Sequence, residues 1–236
     1  MPEGERAAPT FAPSEPEISR AHTLVERRQD GSGPLIALHP GSGAYAPARR
    51  WPAARFAVLA DHLIADGAQI VLLGGAEERE LRAAILSQMR HASRVTDLGG
   101  RTILGELLAV LRQCDLFVGN DGGVLHLAAT AGTPVVAPYG PTDPHAWGPW
   151  APEPWRCVRV YPNGVEVLRS GTHTTLKAAI ACSPCIYRGM GLGTPNGCPD
   201  RTCLERITVT QVLETVRARL AELAVCTGRS VDAAAP

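Results

Sequence analysis

The segment NDGGVLH, residues 120–126, contains residue types suited to binding a phosphorylated ligand. Gly122 and Gly123, after Asp121, let the backbone approach a ligand closely and begin a helix whose first N–H groups suit a diphosphate. His126 follows one turn into that helix, on a face that Asp121 can share. A simpler alternative remains open, in which Asp121 caps the helix, the glycines form a turn and His126 belongs to the core.

Three more loops that could touch a ligand follow short apolar segments. They are HPGSG at residues 39–43, GGAE at 74–77 and YGPTDP at 139–144, and each contains glycine. In open parallel sheets, ligands bind outside the carboxyl ends of the strands, where loops and helix starts present free N–H groups. All four loops are therefore candidate sites of ligand contact.

Charged side chains near these loops could hold phosphate and sugar groups. Arg49 and Arg50 offer fixed positive charge for phosphate oxygens, although a solvated pair of arginines is an open alternative. Glu77 could accept hydrogen bonds from ribose or sugar hydroxyls, although a glutamate is also favourable in the first turn of any helix. The sequence has no G-x-G-x-x-G fingerprint and no G-x-x-x-x-G-K-[ST] loop, the usual signatures of nicotinamide enzymes and P-loop NTPases.

Five short apolar runs alternate with helical patterns, and they predict the elements that carry these loops. The predicted strands span residues 35–39, 69–75, 94–98, 115–119 and 134–140. Strands that are apolar throughout and separated by helices favour a parallel sheet covered on both faces. With right-handed crossovers, the prediction is a doubly wound, Rossmann-like α/β domain.

The flanking segments have a different composition. Residues 1–34 are rich in Pro, Glu, Ala and Gly, and they are interpreted as a linker or disordered tail. One domain is predicted over residues 35–225, with a cysteine-bearing loop region at 157–207 and a closing helix from Val209 to Val225 that packs on the sheet. Residues 226–236 are expected to form a second disordered tail.

Composition argues against several broad classes of function. The 236 residues include 23 basic and 23 acidic side chains, so no general electrostatic attraction to nucleic acid or anionic membranes is encoded. No run approaches the roughly 20 apolar residues that cross a bilayer, and the N-terminus lacks a signal-peptide pattern. The sequence therefore predicts a cytoplasmic protein that binds its ligand at a local site.

Seven cysteines in a chain without an export signal favour reduced thiols or a metal site over a disulfide framework. Cys182, Cys185, Cys198 and Cys203 have the spacing C-x2-C-x12-C-x4-C, which could surround one tetrahedral zinc ion. The second pair is wider than the usual two-residue spacing, and four reduced thiols or an incidental pairing are the alternatives. A zinc ion here would be structural rather than catalytic.

Four segments in order carry a resemblance to a known family. They are HPGSG followed by RRWP, VLLGGAEE, LGGRT at residues 98–102, and DLFVGNDGGVLHLAATAGTPVVAPYGPTDP. Together they resemble glycosyltransferase family 9, which contains the ADP-heptose:lipopolysaccharide heptosyltransferases. The resemblance runs from about Leu35 to Trp150 and continues more weakly to the closing helix. The order and spacing of the four segments argue against chance convergence.

The resemblance implies a GT-B architecture, in which two Rossmann-like domains face each other across a cleft and the C-terminal one holds the activated sugar. The chain is similar to that C-terminal domain. Glu77 is implied to face the ribose and residues 98–102 the adenine, while Arg49 stands where the family often has lysine. The implied donor-binding residues are Ser42, Arg49, Gly74, Glu77, Leu98, Asp121, Gly122, Gly123 and His126.

The implied reaction is a metal-independent transfer with inversion at the sugar, and it requires no cofactor. In the resembling family the candidate base is an acidic residue of the N-terminal domain, so no catalytic residue is assigned in this chain. Only 34 residues precede the first predicted strand, which favours a fragment, a split gene or a misplaced start. The expectation is donor binding without appreciable transfer by this chain alone.

The resemblance also implies partners. They are a nucleotide diphosphate sugar, with ADP-heptose expected first, a lipopolysaccharide core acceptor met peripherally at the inner membrane surface, and an N-terminal half that is encoded separately. No nucleic acid partner is expected. The alternatives are a family member with another sugar donor, a non-catalytic nucleotide-binding or interaction module, and a two-domain nucleotide-sugar epimerase, which the segment 120–144 fits less well.

Overall fold

An eight-stranded β-sheet forms the centre of the part of the chain that the computed structural model describes, which is residues 10–25, 33–43, 46–186 and 196–227. The strands are β1 Leu35–His39, β2 Gln69–Leu72, β3 Val95–Asp97, β4 Leu116–Gly119, β5 Val135–Tyr139, β6 Arg156–Val160, β7 Val165–Ser170 and β8 His173–Ala178. Their order across the sheet is β3-β2-β1-β4-β5-β8-β7-β6.

Strands β1 to β5 are parallel and form the Rossmann-like part of the sheet. Strand β1 lies between β2 and β4 and is buried along its whole length. Successive side chains of a strand point to opposite faces of the sheet. Because helices cover both faces here, nearly every residue of LIALH is buried and apolar. The predicted doubly wound parallel sheet is confirmed, and β1 has the predicted bounds.

Helices cover both faces of the sheet. They are α1 Glu15–Leu24, α2 Ala53–Ala65, α3 Arg79–Leu86, α4 Leu104–Gln113, α5 Gly123–Thr130, α6 Pro144–Trp147, α7 Thr202–Glu205 and α8 Val209–Thr227. Ile36 and Leu38 of β1 belong to a core cluster with α2, α3 and α8. Leu35 and Ala37, on the opposite face, belong to a cluster with α1, α4 and α5. The predicted closing helix therefore packs on the sheet.

The region 157–207, predicted as a cysteine-bearing loop, contains strands that the sequence interpretation missed. Strand β8 pairs parallel with β5, and β7 and β6 continue the sheet in antiparallel order. Charged and polar residues occupy many positions in these strands, which hid their pattern. Gly171, with a φ of 52°, allows the tight turn between β7 and β8. Edge strand β6 is exposed throughout and has a bulge between Cys157 and Arg159.

Helix α1 lies inside the segment predicted as a linker or disordered tail. Ser14 and Glu17 form a capping box at its start, with the Glu17 carboxylate accepting hydrogen bonds from the Ser14 backbone and side chain. Ala21 and Leu24 are buried in the cluster that also contains α4. The prediction of a tail is therefore corrected for Glu15–Leu24.

The other predicted boundaries fall partly outside the described residues. These are residues 1–9 and 26–32 of the first predicted tail, 187–195 of the cysteine-bearing region and 228–236 of the second tail. Helix α8 ends at Thr227, so the first two residues of the second predicted tail are helical. In the described ranges, no helix is both long and apolar enough to span a membrane.

The carboxyl ends of β1 to β4 lie along one edge of the sheet. His39 of β1 pairs with Gly119 of β4, and Leu72 of β2 pairs with Asp97 of β3. The loops that follow these strands therefore leave the sheet at the same edge. This is the edge at which doubly wound proteins bind their ligands.

Candidate functional site

A cleft of about 840 Å³ lies at the carboxyl edge of the sheet. Its walls come from the loops after β1, β2 and β3, from α4 and α5, and from the two residues Thr10 and Phe11 before α1. This volume falls within the range of roughly 300–1,000 Å³ that is typical of small-molecule sites. The cleft is large enough for a nucleotide joined to a sugar.

Five of the nine predicted donor-binding residues line this cleft. They are Ser42, Gly74, Glu77, Gly123 and His126. Gly123 opens α5, where the first backbone N–H groups have no partner within the helix and the helix dipole favours negative charge. The sequence NDGGVLH predicted both a helix start and a histidine near the ligand. In the structure, the start of α5 and His126 line the same cleft.

The other four predicted residues lie close to the cleft without being part of its wall. Leu98 is buried in the core, and Gly100 and Thr102 from the same LGGRT segment reach the wall instead. Gly122 lies against the backbone of Ser42, where a Cβ would be 3.4 Å from the Ser42 Cα, so the loop after β1 contacts the start of α5. The remaining two, Arg49 and Asp121, pair with each other.

The Arg49–Asp121 pair lies behind the start of α5. Arg49 Nη1 is 3.4 Å from Asp121 Oδ2, and their side chains are 15% and 3% exposed. Arg49 Nε is buried and has no hydrogen-bond partner in the described residues. Because the bond is long and a donor is unused, this guanidinium keeps hydrogen-bonding capacity that an anionic ligand could take up.

His126 is mostly buried and faces both members of this pair. Burial lowers the pKa of His126, Asp121 opposes that shift, and Arg49 adds to it; the net pKa is below the usual value of 6.5. At neutral pH the imidazole is therefore uncharged and has one donor and one acceptor nitrogen. It can orient a hydroxyl or phosphate oxygen by hydrogen bonding, but it does not add a fixed charge.

Asn120 ties the loop after β4 to the loop after β1. Its Oδ1 accepts a hydrogen bond from the Trp51 backbone at 2.9 Å, and its Nδ2 donates to the carbonyls of Pro40 at 2.7 Å and Gly41 at 3.3 Å. The side chain is fully buried. Asn120 is thus a positioning residue that holds two walls of the site together, a role that the sequence analysis did not assign.

A buried His39–Glu78 pair is the part of the site that the sequence analysis missed most clearly. His39 Nε2 lies 3.1 Å from Glu78 Oε2, and the two side chains are 4% and 2% exposed. Glu78 also accepts backbone hydrogen bonds from Gly43 at 3.3 Å and Gly75 at 3.2 Å. One carboxylate therefore links the loop after β1 to the loop after β2.

The environment of Glu78 stabilises its charged form. Burial alone raises the pKa of Glu78, but its hydrogen bond to and electrostatic interaction with His39, together with the N–H groups of Gly75 and Gly43, lower it from 4.5 to about 2. The neighbouring Glu77 is exposed and lies at the wall of the cleft. The available signal was the doubled glutamate in GGAEE, of which Glu77 is exposed and Glu78 is buried, although both belong to the cleft wall.

The fourth predicted loop, residues 139–144, is not part of the cleft wall. Tyr139 is buried, and its hydroxyl donates to the carbonyl of Trp147 at 2.9 Å. Asp143 caps α6 by accepting a hydrogen bond from the His145 backbone at 3.1 Å. Tyr139 and Asp143 thus serve the structure of the loop, whereas the buried Thr142 hydroxyl has no hydrogen-bond partner in the described residues, and the predicted ligand contact of this loop stays a prediction.

The four cysteines considered for zinc share one neighbourhood. Burial, followed by the proximity of Cys182 and Cys198, raises the pKa of the Cys185 thiol. The pKa of Cys203 is raised to about 11, chiefly by burial, although a backbone hydrogen bond from Leu204 opposes the shift. Within the described ranges, no three His, Cys, Asp or Glu side chains form a group that could hold a metal ion. The described geometry therefore does not itself form a metal centre.

Comparison with known sequences identifies relatives of this chain. The family model described as glycosyltransferase family 9 (heptosyltransferase) matches residues 5–167. Lipopolysaccharide heptosyltransferase 2 of Escherichia coli K12 is 34% identical over 130 residues, covering 54% of this chain and 37% of that protein. Lipooligosaccharide heptosyltransferase 2 of Haemophilus influenzae is 36% identical over 118 residues, covering 48% and 33%. The matches thus span less than half of these relatives.

Solved structures share the fold over nearly the whole chain. The structure of E. coli ADP-heptose lipopolysaccharide heptosyltransferase II matches with a TM-score of 0.68 at 26% identity, covering 94% of this chain and 56% of that one. A glycosyltransferase family 9 protein from Veillonella parvula matches with a TM-score of 0.67 at 24% identity, covering 90% and 54%. The second likeness concerns the fold alone.

Proposed function

The chain belongs to glycosyltransferase family 9, and from that premise we propose that it binds ADP-heptose as the donor-holding half of a lipopolysaccharide heptosyltransferase. The relative from E. coli is named for lipopolysaccharide, and the solved structure from the same species for ADP-heptose. Transfer would follow the inverting chemistry implied by the family, with the acceptor presented at the inner membrane surface by an N-terminal half.

The observation that carries this proposal is the cleft at the carboxyl edge of the sheet. The start of α5 at Gly123 offers backbone N–H groups for a diphosphate, and the glycine loops after β1 and β2 form the adjacent wall of the cleft. Arg49 lies close behind with an unused buried donor, and His126 offers a neutral imidazole beside the same space. Exposed Glu77 suits the hydroxyls of a ribose. These groups match the successive parts of a nucleotide diphosphate sugar.

Calorimetric titration of the chain with ADP and ADP-heptose tests the proposal. We expect both ligands to bind and His126→Ala to weaken ADP-heptose binding roughly tenfold, because one hydrogen bond to a charged or polar ligand group is lost. His62→Ala is the matched control, since His62 is exposed on α2 outside the cleft wall, and we expect it to leave affinity unchanged. A chain that binds neither ligand would contradict the proposal.

Two alternatives predict different outcomes. A family member with another donor would bind ADP but prefer a different ADP-sugar, or a different nucleotide diphosphate, in the same titrations. A non-catalytic nucleotide-binding module would bind ADP yet give no product even when an N-terminal half and a lipopolysaccharide core acceptor are supplied. Product formation that depends on the added half would support the leading proposal. Robust product from the chain alone would contradict the proposal that this chain holds the donor and needs an N-terminal half for transfer.

A structural zinc ion at Cys182, Cys185, Cys198 and Cys203 is a separate proposal that concerns stability only. Its support is the cysteine spacing and the mutual electrostatic influence of the four sulfurs, and it requires the thiols to rearrange on metal binding. We expect metal analysis of protein purified without a histidine tag to find about one zinc, or one iron, per chain, since tetrahedral thiolate sites accept both. A content near zero would rule the site out.

A further inference from the structure

The segment before α1 reaches the wall of the cleft, although the sequence assigned it to a linker or tail. Phe11 lines the cleft together with Leu104 and Leu107 of α4 and Leu127 of α5. The Phe11 side chain is 43% exposed, which is high for a large apolar group in an ordered segment. The structure therefore places at the cleft a partly exposed aromatic ring from a segment in which the family resemblance names no residue.

Close packing of α1 on α4 fixes the position of this segment. The Glu17 carboxylate of α1 lies over Gly105 of α4, in the space that a Cβ there would occupy, so the two helices are in contact at this point. Ala21 and Leu24 are buried on the same side, and Pro13 is buried between α1 and Phe11. The path of the chain up to Phe11 is therefore determined by contacts.

A hydrogen bond holds Phe11 itself. Arg112 Nη2, at the end of α4, donates to the backbone carbonyl of Phe11 at 3.0 Å. The same bond links the position of Phe11 to α4, whose first turn supplies Leu104 to the cleft wall. Phe11 is thus tied to the cleft from two sides, by its own carbonyl and by the helix that follows it.

The lining residues divide the cleft into two chemically distinct parts. Phe11, Leu104 and Leu107 of α4 and Leu127 of α5 form an apolar surface, although α5 also lines the cleft with the polar His126 and Thr130. The loops after β1 and β2 contribute Ser42, the glycines and exposed Glu77. A nucleotide diphosphate also has two such parts, a flat base with polarisable faces and a ribose diphosphate that is hydroxylated and anionic. An exposed aromatic ring on an otherwise aliphatic wall suits the face of a base.

We propose that Phe11 is a base-binding residue whose ring stacks on the purine of the bound nucleotide. The inference rests on the proposed function, because it assigns the base of the same ligand to the apolar part of the same cleft. It adds a contact from outside the predicted domain at 35–225. The segment before α1 then forms part of the donor site.

Titrating the chain with ADP and with inorganic pyrophosphate tests the inference. We expect Phe11→Ala to raise the Kd for ADP roughly tenfold, near the middle of the range found when a stacking aromatic is removed, and to leave the Kd for pyrophosphate unchanged. Phe11→Trp should retain ADP affinity, because a ring is kept. Val58→Ala, at an exposed apolar residue on α2, is the control and should match the unsubstituted chain.

The outcomes separate this inference from the proposed function. If the unsubstituted chain binds no ADP, the proposed function is wrong, and the inference about Phe11 is overturned with it. If the chain binds ADP and Phe11→Ala binds it equally well, Phe11 is not a base-binding residue and only the inference is overturned. Equal weakening of ADP and pyrophosphate would also overturn it, because a stacking partner acts on the base alone. Melting temperatures of all variants show whether α1 remains docked.

Discussion

Gly123→Val is expected to abolish measurable ADP binding while leaving the melting temperature close to that of the unsubstituted chain. A Cβ at Gly123 would have no protein atom within 4 Å beyond its chain neighbours and its own helix, so the fold has room for a side chain. The same residue lines the cleft, so the added methyl groups would occupy the space of the ligand. The Kd should rise roughly 100-fold or more, because several charge-assisted bonds at the helix start are blocked together.

Gly123→Ala provides the graded comparison. Alanine is favourable in a helix and adds only one methyl group, so we expect an unchanged or slightly higher melting temperature and a severalfold weaker affinity for ADP. Calorimetry and thermal melting on the same samples measure both effects. An unchanged Kd for the valine variant would show that α5 does not form the diphosphate site.

Glu78→Ala is expected to lower the free energy of unfolding by about 3–5 kcal/mol, because several buried donors lose their shared acceptor at once. The substitution removes the acceptor for His39 and for the N–H groups of Gly43 and Gly75. Glu77→Ala is the matched control, because Glu77 is adjacent but exposed, and its effect should stay within about 0.5 kcal/mol. Chemical denaturation measures both. A Glu78 variant as stable as the Glu77 variant would contradict the assigned role.

The pH dependence of stability gives a second measurement on Glu78. Its pKa falls from 4.5 in the unfolded chain to about 2 in the folded protein, so folding favours the charged form. Its contribution is therefore complete above about pH 4.5 and is lost as the pH falls toward 2. Glu78→Gln keeps much of the shape of the glutamate side chain but cannot titrate, so it serves as the reference. The stability difference between the unsubstituted chain and this variant should shrink across that window, and a constant difference would exclude the linkage.

The sequence predicted the parts of the site whose signals are local. LIALH, QIVLLGG and DLFVG each combine an apolar run with a following glycine loop, and β1 has the predicted bounds of residues 35–39. Gly123 and His126 could be placed in one site because one helical turn fixes their relation. Short-range spacing is enough when the chemistry lies within a single loop and the helix that follows it.

The features that the sequence did not reveal depend on distant contacts. His39 and Glu78 are 39 residues apart, and whether Glu77 or Glu78 points inward depends on the phase of a short helical turn. Helix α1 has only a weak apolar face, and its buried residues Ala21 and Leu24 pack in a cluster with α4 that its local sequence does not reveal. Strand β8 has threonines at buried positions, so its sequence lacks a continuous apolar run. Its pairing with β5 is what identifies it as a strand. Local composition does not encode such relations.

The two margins of the sheet are poorly suited to recruiting a further strand from another molecule. At one margin, β3 has only three residues, which offers few backbone groups for pairing. At the other, the bulge in β6 interrupts the register beside Arg156 and Arg159, and these charges oppose the close approach of an apolar strand. The exposed Val158 and Val160 therefore lie in a context that disfavours pairing with a strand from another molecule.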